Sequence, residues 1–234
     1  MSGRLKSVLD MLATALLAIA AGLFIWTQVE SRVLRVRSNP QLEDVKDLSI
    51  KASAIRHVKG SGSIALVEFT DYECPFCSEY VRRTASAVDK QLVDSGRVQH
   101  VVFNFPLERM HPHARPAAEA AECAGRQGRF WEMYARIFRD RSNLESDGFV
   151  NSGRVLGLDE AVFTRCLAGE ATAQITADIG EASRLRVRAT PTFFIGIVRS
   201  DGSIDLSKRI GGLVSIADLK HAVDIVSAMR RTVQ

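Results

Sequence analysis

Apolar residues run along this 234-residue chain in three distinct patterns, and each predicts a different element. From Val8 to Trp26 they are nearly continuous, interrupted over 11–26 only by Thr14 and Gly22. Short β-rich runs recur at 64–69, 98–105, 192–198 and 204–210, the length and composition of buried strands. Between them lie helical periodicities, at 78–93 after the first strand and then at 114–125, 130–138, 149–156, 160–167 and 171–185 with no strand signal among them. Ser200-Asp201-Gly202-Ser203 separates the last two strands with hairpin chemistry. Ser215 N-caps a closing helix that runs to about residue 229. The predicted order is strand, helix, strand, helical insertion, hairpin, helix.

The opening run is about 19 residues long, close to the ~20 needed to cross a bilayer. Arg4 and Lys6 precede it, and Trp26 sits where an interfacial aromatic belongs. It predicts a transmembrane anchor over 8–28 behind a cytoplasmic stretch 1–7, with a cleaved signal peptide as the alternative. Residues 29–60 alternate between charge and apolarity. They predict a stalk containing an edge strand near 49–58 and ending in the flexible break Gly60-Ser61-Gly62-Ser63.

Net charge adds little for a polymer ligand. The formal total is +4, and residues 1–37 carry five basic side chains against two acidic ones, leaving a nearly neutral body. No basic stripe interleaved with aromatics occurs there, which argues against a nucleic-acid partner.

Four cysteines change the picture. Cys74-Pro75-Phe76-Cys77 follows a strand directly and opens a helix. A thiolate at a helix N-terminus meets free backbone N–H groups and the positive end of the macrodipole, so it forms at lower pH and becomes a nucleophile. Cys74 is then the attacking sulfur, Cys77 the resolving one, and Pro75 occupies a first-turn position needing no N–H. A metal site built on the same thiolates, for Cu(I) or another ion, is the alternative from another class, but it lacks a second close ligand pair. Glu68, inside an apolar strand six residues before Cys74, either reaches solvent or is a buried base for the Cys77 proton. Thr190-Pro191 precedes the strand at 192–198 with its peptide bond trans or cis; a cis bond would offer the Thr190 backbone to a bound peptide. Cys123 and Cys166 lie on separate predicted helices, either as a structural disulfide or as buried thiols. Phe130, Trp131, Tyr134 and Phe138 fall at helical spacing and read as core. His111 and His113 read as a solvated loop.

Taken together, Glu68-Phe69 before Cys74-Pro75-Phe76-Cys77, the helical insertion with Gln127-Gly128-Arg129-Phe130-Trp131-Glu132-Met133, and Ala189-Thr190-Pro191-Thr192-Phe193-Phe194 resemble the DsbA-like family of thioredoxin-fold proteins. The resemblance covers about 50–232. It implies an α/β thioredoxin fold, a central mixed sheet flanked by helices, formed by 61–108 and 187–234, with an all-helical domain inserted at 109–186. It also implies a buried Glu68, a cis bond at Thr190-Pro191, and substrate contacts from Thr190, Pro191, Pro75 and Phe76. No cofactor beyond the Cys74–Cys77 disulfide is implied. The expected activity is disulfide exchange with exported cysteine-containing polypeptides on the extracytoplasmic, periplasmic side. The expected partner is a membrane quinone-linked oxidase, or an electron donor if the enzyme works as a reductase or isomerase. One departure stands out: strongly oxidising relatives place His between the cysteines, where this chain has Phe76. That predicts a less stabilised thiolate and a less oxidising couple.

Overall fold

A computed structural model describes residues 16–24, 26, 41–141 and 144–233. The chain divides into two units, 1–39 and 40–234. In the first, 16–24 is helical, with Leu16, Leu17, Ile19, Leu23 and Phe24 exposed. The rest of the expected span, at 8–15, 25, 27 and 28, and the stalk through residue 40 lie outside the described residues. No helix among those described is long and apolar enough to cross a membrane.

The second unit is built on one six-stranded sheet. Its strands are β1 (Glu43–Ile50), β2 (His57–Lys59), β3 (Ile64–Thr70), β4 (Val98–Asn104), β5 (Thr192–Val198) and β6 (Ile204–Gly211), in the order β1-β6-β5-β3-β4-β2. β3 and β4 are parallel and every other neighbouring pair is antiparallel. All seven residues of β3 are buried. A central strand covered on both faces reads as an unbroken apolar run rather than an alternating one.

The helical run 75–93 (α1) carries the chain from β3 to β4, as a parallel pair requires. It starts as an α-helix at Pro75–Tyr80 and widens into π-turns at Val81–Ala85 and Asp89–Val93. Between β4 and β5 the described residues form α2 (Ala114–Gly125), α3 (Phe130–Arg139), α4 (Ser146–Val155), α5 (Glu160–Arg165), a π-turn at Cys166–Glu170, and α6 (Thr172–Arg184). α7 (Ile216–Val233) closes the fold. Its first turn has reciprocal caps, the Asp218 N–H donating to Ser215 Oγ and the Ser215 N–H to Asp218 Oδ2. One face of the sheet packs Leu66, Phe193 and Ile210 against Tyr80, Val88 and Leu92 of α1 and Leu219 and Val223 of α7. The other packs Val67, Phe103 and Phe194 against Ala182 and Leu185 at the end of α6. A third cluster lies among α2–α6, where an alanine row on α2 (Ala117, Ala120, Ala121, Ala124) allows close helix approach. Cys123 of α2 and Cys166, just past α5, are joined there by a disulfide.

Residues 41–60 depart from the expected stalk. The edge strand foreseen at 49–58 is instead two strands, split by a 3₁₀ turn at Ala52–Ala54, and they lie on opposite edges of the sheet. β1 is exposed along most of its length and carries a register shift between Asp44 and Leu48, so it presents no period-2 pattern to read. The Gly60-Ser61-Gly62-Ser63 stretch is not a flexible break either. Gly62 crosses β4 so closely that a Cβ there would lie 2.4 Å from the Val98 backbone. Only glycine permits that crossing.

Candidate active site

The C-terminal end of β3 and the N-terminal end of β5 meet where α1 begins, and the sequence between β3 and α1 is organised by one buried carboxylate. Asp71 Oδ1 accepts from the N–H groups of Glu73 (2.8 Å) and Cys74 (3.1 Å). Its Oδ2 accepts from the Leu107 N–H (2.8 Å) and contacts His111 Nδ1 at 2.8 Å. Asp71 thereby ties the turn before Cys74 to the loop after β4. His111, expected as a solvated loop residue, is part of that brace. Sequence reasoning missed Asp71; its signal was an Asp three residues before a helix start, an Asx-type turn former.

Cys74 is the N-cap residue of α1, with extended backbone, and Pro75 follows at N1. Both thiols are free and buried. The Cys74 thiol donates to the Thr190 carbonyl oxygen at 3.3 Å. Its pKa falls from an ordinary 9.0 to about 6. The hydrogen bond from the Cys77 thiol is the largest cause, opposed by burial; the Thr190 side chain and the N–H groups of Cys77 and Phe76 add to the lowering. Cys77 moves the other way. Burial pushes its thiol well up, and the hydrogen bond to Cys74, the Cys74 charge and the Glu68 charge all add to that. One sulfur is thus a ready nucleophile while the other holds its proton.

Glu68 is fully buried. Its Oε1 accepts from the Tyr134 hydroxyl at 2.9 Å, and its Oε2 lies 3.0 Å from His100 Nε2. Tyr134 packs against Tyr72 and Phe138 as the helical spacing predicts, with Phe130 also buried and Trp131 partly so. Its hydroxyl, however, faces the carboxylate. His100 was legible only as a polar residue inside a buried strand, the same kind of signal as Glu68.

The Thr190-Pro191 peptide bond is cis. The Pro191 carbonyl accepts from the Gly212 N–H at 2.9 Å, which fixes this segment to the end of β6. Pro75 is exposed, and Phe76 is 58% exposed beside the buried Cys74. The structure therefore brings the buried Cys74, Cys77, Thr190 and Pro191 together, with the exposed Phe76 beside them, and the Glu68 charge reaches Cys77. Among the described residues, no group of three or more His, Cys, Asp or Glu side chains is placed to hold a metal ion.

Comparison with known proteins bears on this arrangement. Residues 60–210 match the family model described as Thioredoxin. The chain is 35% identical over 163 residues to a Na(+)/H(+) antiporter NhaA 1 of Mycolicibacterium vanbaalenii, which covers 67% of this chain and 26% of that protein. It spans about a quarter of the length of that relative. Among solved structures it resembles a thioredoxin-like oxidoreductase from Silicibacter pomeroyi DSS-3, at 28% identity and a TM-score of 0.59, over 74% of this chain and 92% of the other. It also resembles Pseudomonas aeruginosa DsbA2, at 25% identity and a TM-score of 0.56, over 73% and 93% of the two chains. With the family model covering more than half its length, the chain belongs to the thioredoxin family, with a DsbA-like fold.

Proposed function

We propose that this protein is a dithiol oxidase that introduces disulfides into exported cysteine-containing polypeptides. The observation that carries this reading is the depression of the Cys74 pKa from 9.0 to about 6 without a histidine in the motif. Stabilising the thiolate stabilises the reduced enzyme, and a stable reduced form makes its disulfide a strong oxidant. Phe76 supplies no charge, but its backbone N–H does contribute, and the Cys77 thiol contributes more.

In the oxidised enzyme a client thiolate attacks Cys74 Sγ. The Cys74–Cys77 bond breaks, and Cys77 leaves and takes a proton, with Glu68 as its donor. A second client thiolate then attacks the client sulfur of the mixed disulfide. The client disulfide forms and Cys74 departs as the stabilised thiolate. Thr190 and Pro191 hold the client backbone during both exchanges, and Pro75 and Phe76 form the apolar surface beside it. Reoxidation falls to a membrane quinone-linked partner, near which the anchor at 8–28 keeps the enzyme on the extracytoplasmic side. A second disulfide, Cys123–Cys166, suits an oxidising compartment. The antiport named for the longer relatives is not proposed for this chain.

The reduction potential of the Cys74/Cys77 couple tests this, by equilibrating the whole chain in glutathione buffers and reading both cysteines by alkylation and peptide mass. A value near or above about −150 mV sustains the oxidase reading. A value below about −220 mV makes it a reductase or isomerase kept reduced by a membrane donor. Absence of a reversible couple overturns disulfide exchange altogether.

A further inference from the structure

Glu68 is fully buried, and both of its oxygens are occupied. Tyr134 donates to Oε1 from α3, inside the helical block, and His100 faces Oε2 from β4. His100 pairs with Leu66 across the parallel ladder, which puts its ring on the same face as Glu68, two residues along β3.

The hydrogen-bonding state of His100 follows from its other nitrogen. Nδ1 is buried and has no partner. A hydrogen on Nδ1 would be an orphaned donor, whereas one on Nε2 is satisfied by Glu68 Oε2, so Nε2 is the donor to the carboxyl group. Tyr134 can only donate as well, because burial and the Glu68 charge push its ionisation well up. Both Glu68 oxygens therefore accept, one from each side of the site.

The surroundings are made of weak acids that keep their protons. All three tyrosines of the chain, Tyr72, Tyr80 and Tyr134, are buried, and the Glu68 charge raises the pKa of each. The Tyr72 and Tyr80 hydroxyls have no hydrogen-bond partner. The Glu68 charge reaches Cys77 as well. Lys59, with Nζ 4.5 Å from the centre of the Trp131 ring that packs against His100, is committed to Asp89. Among the groups whose pKa the Glu68 charge raises, Cys77 is the one whose deprotonation the redox reaction requires.

We propose that Tyr134 and His100 are positioning residues that fix the Glu68 carboxyl group with one hydrogen bond to each oxygen, so that the helical block completes the proton-accepting site of the redox centre. This rests on the reading of Glu68 as the base for Cys77. When a mixed disulfide on Cys74 is resolved, the Cys77 S–H bond breaks and its proton goes to Glu68. The Cys77 sulfur attacks Cys74 Sγ, the Cys74–Cys77 bond forms, and the partner sulfur leaves as a thiolate. When a client is oxidised, the same proton returns from Glu68 to the departing Cys77.

The test mixes the reduced full chain with glutathione disulfide and follows the Cys74–glutathione adduct by acid quench and mass, from pH 5 to 8. Tyr134→Phe and His100→Leu should each slow resolution roughly tenfold, the loss of one hydrogen bond to a charged group. The adduct should accumulate and the resolution profile should shift to higher pH. His100→Gln, which keeps an N–H donor, should recover most of the rate. The pH profile of Cys74 alkylation should stay where it is in all three. Wild-type resolution at every pH in Tyr134→Phe and His100→Leu would overturn the inference, as would equal losses in His100→Leu and His100→Gln. Should His100→Leu fail to fold, Tyr134→Phe, which removes a single oxygen, carries the test. Glu68→Gln separates the two levels. If it resolves at the wild-type rate, the base reading itself falls; if it alone is slow, only the positioning role falls.

Discussion

The sulfur of Cys74 lies 3.3 Å from the carbonyl oxygen of Thr190, 116 residues further along the chain. The contact exists because β3 and β5 are neighbours, pairing Phe69 with Thr192 at the ends where the two segments leave the sheet. The buried Thr190 side chain is also among the causes that lower the Cys74 pKa, and its hydroxyl makes no hydrogen bond among the described residues. In the wild-type dithiol protein, alkylation of Cys74 by iodoacetamide should be half-maximal near pH 6. Thr190→Val keeps the shape and removes the hydroxyl, so the midpoint should rise by up to about one unit, ~1.4 kcal/mol. An unchanged midpoint would remove the Thr190 hydroxyl from the list of thiolate stabilisers.

Gly62 predicts a packing defect rather than a redox one. A methyl group there meets the Val98 backbone at 2.4 Å, and backbone in a central ladder cannot step aside as a side chain can. Gly62→Ala should therefore destabilise the fold by about 1–3 kcal/mol or more, the usual cost of overpacking. Urea unfolding would show the lowered midpoint, while the alkylation profile of Cys74, at the far end of β3, should be unmoved.

What could be read from the chain follows from which signals are local. β3, β4, β5 and β6 were visible as apolar β-rich runs because they are buried, and β5 falls at 192–198 as foreseen. The motif was visible because strand, Cys-x-x-Cys and helix are contiguous. β1 and β2 were not separable, because edge strands that expose most of their residues carry no periodic pattern. The site showed the same division. Cys74, Cys77 and Glu68 announced themselves by position, whereas Asp71, His100 and Tyr134 depend on pairings across 36, 32 and 66 residues. Tyr134 was legible as core, and it is core. Nothing in a helical period tells that its hydroxyl meets a carboxylate.

The Cys123–Cys166 disulfide closes a loop of 43 residues between α2 and the turn following α5. In the chain-entropy account such a loop contributes roughly 4 kcal/mol by restricting the unfolded chain. A Cys123→Ala/Cys166→Ala double variant should lose about 3–4 kcal/mol in urea unfolding. Neither sulfur figures among the causes of the Cys74 shift, so the Cys74 alkylation midpoint should remain near pH 6. A midpoint that moved with the disulfide would mean that the helical block communicates with the thiols by more than Tyr134.

The opposed shifts of Cys74 and Cys77 fix how the couple responds to pH. A thiol lowered from 9.0 to about 6 stabilises the folded dithiol protein; that contribution is complete above pH 9 and is lost as the pH falls through 6. Cys77, raised above 9.0, has the opposite sign: its contribution is present below pH 9 and is lost as the pH rises beyond it. Reducing the disulfide therefore takes up two protons below pH 6 and only one between about 6 and 9. Each proton in a two-electron couple shifts the potential by about 30 mV per pH unit. The reduction potential should fall by about 60 mV per unit below pH 6 and by about 30 mV per unit above it, with the break at the Cys74 pKa. Protein-film voltammetry, or glutathione equilibration at several pH values, reads the two slopes directly. In Thr190→Val the break should move upward with the alkylation midpoint, because both report the same thiolate. A single slope of about 60 mV per unit through pH 8 would mean that Cys74 keeps its proton at neutral pH, and the oxidase reading would lose its physical basis.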